Sequence, residues 1–388
     1  MPCDSSRSRA KNPEYPERVR ILIAPDSFKG SLDAPTVARA IGVGVKRARP
    51  DFDIVLAPMA DGGEGTLDVL GAHGMTLLDV PIRDHQGQSI VARIARQGSF
   101  VVIEAAQACR FNPAATPEMA LTASTEGVGM LVSFALDIGA TEIYLTLGGT
   151  ASTDGGKGML AHLGGKVVDS AGKPLAPGGG SLAHVAEVDL TGMDERLKTA
   201  SITVITDVNA PLLGPEGAAN QFARQKGADE RAVDVLETGL SRFSAVLNPE
   251  VAALPGSGSG GGLGFGAVAG LGASSAPGAQ TIARIIGLEA TLRTCDLVIT
   301  GEGSFDPQSF GGKLVGFICE QANKLSVPVG VISGQHTYGD DIGAVASREG
   351  ISWVRTLTDV ASDAAEAKEQ AEVLLQHVAE IAIRESQV

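Results

Sequence analysis

The chain has 388 residues, 44% of them hydrophobic and only 4% aromatic, and carries a formal net charge of −14. That much apolar material can fill two cores rather than one, and the acidic balance argues against a nucleic-acid-binding face. The 50 glycines follow no strict period and alternate with apolar runs. This excludes a collagen-like or disordered chain and fits an α/β protein with many tight strand-to-helix turns.

In chain order, residues 1 to about 18 are polar and proline-punctuated and lack an apolar signal segment, so they are expected to form a disordered leader. Residues 19–24 read as a buried strand, followed by a loop at 26–31. A helix capped by Ser31 or Asp33 then begins near Pro35, with Val37, Ala40, Ile41 and Val45 on one face. A second strand at 53–57, a loop at 59–65 and a helix from Thr66 repeat the rhythm, which predicts a parallel sheet. The middle of the chain changes character. Strands at 90–94 and 100–104 suggest a hairpin; a helix at 126–138, a strand at 142–147, a glycine-rich loop at 148–158 and a strand at 201–206 follow. Residues 255–266 are nearly all Gly and Ser and read as a flexible loop. The βα rhythm returns with a strand at 296–300, a loop, a helix at 313–325, a strand at 329–333 and a C-terminal helix at 362–383. The expected fold is therefore α/β in two domains: a discontinuous parallel-sheet domain, 19–78 and 280–388, with a second α/β domain, 79–279, inserted. No apolar run is read as long enough to span a membrane. Cys3, Cys109, Cys295 and Cys319 are scattered without a C-x-x-C, which fits free thiols in a reducing cytoplasm. The six His have no zinc spacing.

Several strands end in loops with clustered polar residues, where open α/β sheets place ligands. Asp26-Ser27-Phe28-Lys29-Gly30-Ser31 offers a lysine for an anion, or merely a capped helix. Asp61-Gly62-Gly63-Glu64-Gly65 offers two carboxylates to a hard cation, or a turn in which Asp61 bonds its own backbone. The loop from Gly148 and Gly149 to Gly158 combines N–H donors and hydroxyls with Asp154 and Lys157, which suits an anion nest. Asp207 and Asn209, with Lys226 further on, suit a metal or substrate hydroxyls; an Asx-turn is the plainer alternative. The run holding Gly256, Gly258 and Gly260 contains G-x-G-x-x-G, but no clear strand precedes it, so a dinucleotide reading has little support. Gly301-Glu302-Gly303 with Asp306 and Lys313 closes the set. The chain has neither a G-x-x-x-x-G-K-[ST] loop nor the H-R-D and D-F-G signatures of protein kinases.

Together, A-P-D-S-F-K-G-S at 24–31, P-M-A-D-G-G-E-G-T at 58–66, the loop at 148–158, D-V-N-A-P-L at 207–212, Q-K-G at 225–227 and G-E-G at 301–303 closely resemble the glycerate kinase family, in order from Val19 onward. The chain departs from that pattern at Ser304, where the family usually has an arginine. The resemblance implies a flavodoxin-like domain, a second α/β domain and a site between them. It also implies ATP and Mg²⁺ as cofactors and D-glycerate as the small-molecule substrate, phosphorylated to 2- or 3-phosphoglycerate. Other hydroxy-acids or polyols, or nucleotide binding without catalysis, remain alternatives. Under this reading Lys29, Asp207 and Asp154 are the expected catalytic residues, and Ser27, Ser31, Asn209 and Lys226 bind substrate. Gly148, Gly149, Gly256, Gly258, Gly260 and Lys313 bind nucleotide, and Asp61, Glu64 and Glu302 hold the metal. No nucleic-acid or membrane partner is expected, and monomer and homodimer both stay open.

Overall fold

The computed structural model describes residues 18–310 and 313–386. The expected leader, apart from Arg18, lies outside them. Eleven strands build the two main sheets: β1 (Arg20–Ile23), β2 (Asp53–Leu56), β3 (Thr76–Arg83), β4 (Ser89–Gln97), β5 (Phe100–Glu104), β6 (Glu142–Thr146), β7 (Ser201–Ile205), β8 (Ser274–Ala276), β9 (Leu297–Thr300), β10 (Val329–Ser333) and β11 (Trp353–Thr356). The first sheet is fully parallel, in the order β11-β10-β9-β1-β2, with Leu22 beside both Val298 and Val55. In its own chain order this is 2-1-3-4-5, the flavodoxin-like arrangement, whose topological switch point lies between β1 and β9. The second sheet runs β8-β7-β6-β5-β4-β3. It is parallel from β8 to β5 and then turns antiparallel through β4 and β3.

Alternation along the strands assigns each face to a different core. Ile21 and Ile23 of β1 and Leu297 and Ile299 of β9 face the outer helices Ala34–Ala48 and Ala371–Glu385. Leu22 and Val298 face the other way. They share a middle core with helices Thr66–Ala72 and Gly278–Ile285 and with Ala95, Val102, Tyr144 and Ile205 of the second sheet. The remaining face of that sheet, including Val101, Ile103, Ile143 and Leu145, packs against helices such as Glu126–Asp137 and Glu230–Leu247. A continuous apolar layer thus joins the two sheets.

Asp33, not Ser31, caps the first helix: its Oδ1 accepts the Thr36 N–H at 2.7 Å. That helix crosses the C-terminal helix at Gly44, where a Cβ would lie 2.2 Å from the Gln376 carbonyl oxygen and 2.8 Å from Ala379 Cβ. Gly44→Val should therefore wedge the two helices apart and cost about 1–3 kcal/mol. A lowered urea midpoint at unchanged slope would be the readout.

Several features differ from the sequence reading. Residues 255–266 do not form a loop throughout: the helical span Ser259–Leu271 is broken by a kink at Gly260, Gly261 and Gly262, all at positive φ, and is regular helix only beyond it. The edge strand β3 is not among the expected strands; it contains Pro81, which an edge position tolerates. The segment 117–137 is apolar and long enough to cross a membrane by composition, but helices Pro117–Thr122 and Glu126–Asp137 divide it, and 61% of the window is buried.

Candidate active site

A cavity of about 450 Å³ opens at the carboxyl ends of β1 and β9, on the switch point of the first sheet. Asp26 follows β1, Asp61 follows β2 and Glu302 follows β9; all three line the cavity together with Ser27, Lys29, Ser31 and Lys313. The Asp26 N–H donates to the Gly301 carbonyl at 2.8 Å, which ties the two central strand ends together. The Ser27 N–H donates to Asp26 Oδ1 at 2.6 Å. Burial, then the charge of Asp61, pushes the Asp26 carboxyl up to about 7, although the Ser27 N–H and Lys29 oppose this. Glu302 is also raised, mainly by burial, and its Oε1 is buried without a hydrogen-bond partner. Ser31 Oγ donates to the Lys368 carbonyl at 2.8 Å, and Lys368 adds a further cation to the rim.

Asp207 approaches from the second sheet, just beyond β7. Its Oδ1 accepts the Gly278 N–H at 2.7 Å, which fixes the start of helix Gly278–Ile285. Its pKa is raised by partial burial, against the pull of the Gly278 N–H, and further by Asp61. Asp207 therefore faces the Asp61 end of the site without lining the cavity, and Asn209 is exposed beyond it.

Other expected site residues are engaged elsewhere. Asp154 is fully buried, and its carboxylate accepts from the Thr125, Gly156 and Gly158 N–H groups and the Thr125 hydroxyl. In this structure it anchors the 154–158 turn and does not line the cavity. Lys226 is buried rather than substrate-facing. Its Nζ donates to the Ser152 carbonyl at 2.7 Å, and burial lowers its pKa to about 8. Glu64 pairs with Arg110 at 2.9 Å on the surface and does not line the cavity. Gly148 abuts Gly63, where a Cβ would sit 2.7 Å from the Gly63 Cα; Gly149 lies beside Glu64 and Ala106. Gly256, Gly258 and Gly260 pack inside the second unit, with the Gly258 N–H donating to the Ala210 carbonyl at 3.0 Å. None of these five glycines lines the cavity. Among the described residues no three His, Cys, Asp or Glu side chains form a preformed metal cluster.

Asp26 belongs to a segment the sequence singles out, yet the expected roles there fall on its neighbours. A signal for it exists: it is the first charged residue after a strand buried on both faces.

Convergent carboxylates and lysines at a flavodoxin-like switch point suit the handling of a polyanion. Comparison with known proteins identifies the relatives. The Glycerate kinase family model matches residues 21–387. Glycerate 2-kinase of Escherichia coli K12 is 38% identical over 336 residues, covering 84% of this chain and 87% of that protein. Glycerate kinase of Halalkalibacterium halodurans is 35% identical over 371 residues, covering 92% and 96%. The crystal structure of a provisionally named glycerate kinase 2 from Salmonella typhimurium LT2 superimposes with a TM-score of 0.79 at 33% identity, covering 95% of this chain and 98% of that one. With one family matched from the first strand to the last helix, and the same architecture in a solved relative, the chain belongs to the glycerate kinase family.

Proposed function

We propose that the protein transfers the γ-phosphoryl group of ATP to a hydroxyl of D-glycerate, giving 2-phosphoglycerate and ADP. The cavity at the switch point carries this reading, because it gathers Asp26, Lys29, Asp61, Glu302 and Lys313 in one place. The substrate hydroxyl oxygen forms a new bond to the γ-phosphorus as the β–γ bridging P–O bond breaks, and ADP leaves with that bridging oxygen. Asp26 takes the hydroxyl proton. A carboxyl held at about 7 is half ionised at neutral pH, which suits a group that must accept a proton there. Asp26 replaces Asp207 in this role because Asp26 lines the cavity, whereas Asp207 is engaged with Gly278. Lys29 and Lys313 offset phosphate and substrate-carboxylate charge, and Ser27 and Ser31 face the same space. The nucleotide phosphates are placed at these lysines rather than at the glycine runs of 148–149 and 256–260.

Mg²⁺ needs no preformed protein cage, because it keeps waters and binds one or two carboxylates plus substrate phosphates. Asp61 and Glu302 fit that demand, since both line the cavity and Glu302 holds an unpartnered buried oxygen. When bound, the ion would neutralise charge on the β- and γ-phosphate oxygens. Strand membership supports two structural units. Among the described residues, 19–75 and those from 277 to 386 carry the flavodoxin-like sheet, and 76–276 the inserted one; the first boundary moves from 78 to before β3 and the second from 280 to 277. The buried free thiols Cys109, Cys295 and Cys319 support a cytoplasmic setting.

The test is coupled ADP release with Mg-ATP and D-glycerate, with the product assigned by NMR. Glycerate-dependent turnover yielding 2-phosphoglycerate is expected. ATP binding without glycerate-dependent turnover would replace this reading with a non-catalytic one.

A further inference from the structure

The loop 61–65 lies where the carboxyl ends of three neighbouring strands of the second sheet meet the first sheet. At Gly62 a Cβ would lie 2.6 Å from Ile205 Cγ2, at the end of β7. Gly63 touches Gly148, just beyond β6. From the end of β5, Glu104 reaches the far side of the same loop. Its Oε1 accepts the Gly65 N–H at 3.3 Å and its Oε2 accepts the Leu67 N–H at 3.2 Å. Gln107 Nε2 also donates to Oε1, at 3.5 Å. Glu104 is buried, with 1% exposure, and does not line the cavity. Two further ties run in parallel: Arg93 of β4 to Asp68 at 3.0 Å, and Arg110 to Glu64 at 2.9 Å. Gly62 and Gly63 therefore serve close approach to the second sheet, against the Ile205 side chain and the Gly148 backbone respectively. The loop's one cavity-facing carboxylate, Asp61, is tied to the same loop, because the Gly63 N–H donates to Asp61 Oδ1 at 3.0 Å.

We propose that Glu104 is a positioning residue for phosphoryl transfer, clamping the 61–67 segment to the second sheet and thereby fixing Asp61 relative to Asp26 and Glu302. This rests on the phosphotransfer reading above. A carboxylate suits this role because it offers an acceptor oxygen to each of two N–H groups on either side of Thr66. Glutamine keeps the shape but presents an NH₂ to one of them, which breaks one tie without opening a cavity. Removing a buried support of this kind costs on the order of tenfold to a hundredfold in function.

The decisive experiment is a kinetic cycle on the full chain with Glu104→Gln, Asp61→Asn and the double variant. Glu104→Gln should lower kcat about tenfold while both KM values stay within about twofold, and it should add nothing further in the Asp61→Asn background. Unchanged kcat in Glu104→Gln, or a full further loss in the double variant, overturns the proposal. Hydrogen exchange supplies a readout independent of turnover. The 61–67 amides should exchange about tenfold faster in Glu104→Gln while helix Ala34–Ala48 keeps its protection; equal protection at 61–67 also overturns the proposal. If Glu104→Gln does not accumulate folded, Glu104→Asp, whose shorter reach retains at most one tie, is read in the same way. Absence of turnover in the unsubstituted protein removes the phosphotransfer reading, and the exchange result then judges the clamp alone.

Discussion

Asp26→Asn is expected to raise the melting temperature at pH 8, measured without nucleotide or divalent cation, while lowering kcat by at least about a hundredfold. The stability gain follows from linkage. The folded-state pKa of Asp26 lies near 7, above its ordinary value of 3.8, because burial and Asp61 disfavour the charge. Between those two values the folded chain holds a proton that the unfolded chain has lost. Whatever stability the neutral carboxyl provides is therefore complete below about pH 4 and is lost as the pH rises through about 7. Asparagine is neutral throughout, so the variant should match the parent near pH 4 and exceed it at pH 8, by an amount on the order of 4 kcal/mol. The same neutrality removes the proton acceptor. Asp207→Asn keeps an oxygen for the Gly278 N–H and should lose less kcat. If instead Asp207→Asn is the more damaging change, the proton-accepting role belongs to Asp207. A variant less stable than the parent at pH 8 would mean that the fold does not disfavour the Asp26 charge.

The outline of this site was legible because buried parallel strands announce themselves. The apolar run at 21–23 and the fully buried run at 297–300 are mostly β-branched with one leucine each, and each leads into a polar loop. What the sequence could not reveal is which polar groups are already occupied. Asp154 and Lys226 lie in glycine-rich, anion-friendly segments, yet the fold directs both inward to backbone partners. Asp26 looks ordinary beside Lys29, because burial and its separation from Asp61 are tertiary facts. The glycines were ambiguous for a related reason. A glycine that admits a phosphate and one that admits another backbone have the same sequence signature. At Gly261, a Cβ would lie 1.9 Å from the Ser152 carbonyl oxygen, so the requirement there is backbone against backbone. The Gly and Ser composition of 255–266 also misled beyond the kink, where packing of Leu263, Phe265 and Ala267 into the core outweighs the poor intrinsic helix preference of glycine.

Gly278→Ala should be nearly as damaging as the loss of Asp26, although it removes no functional group. A Cβ at 278 would lie 1.7 Å from the Asp61 carbonyl oxygen and 2.6 Å from Asp207 Oδ2. The first contact is with backbone and cannot be relieved by rotating a side chain. Either the 61–65 loop retreats, or helix Gly278–Ile285 shifts and the bond from Gly278 N–H to Asp207 stretches. In both cases Asp61 and Asp207 move apart at the seam between the sheets. A misplacement of about 1 Å in a phosphoryl-transfer site costs about a hundredfold in rate, and overpacking of this kind adds a stability loss of about 1–3 kcal/mol. Gly343→Ala is the matched control: it lies in helix Ile342–Arg348 with no atom within 4 Å of the added methyl. There the substitution should leave kcat unchanged and stabilise the chain by about 0.5–1 kcal/mol. If Gly278→Ala keeps full kcat, the carboxylates on the two sheets need no fixed relation, and catalysis must rest on the flavodoxin-like sheet alone.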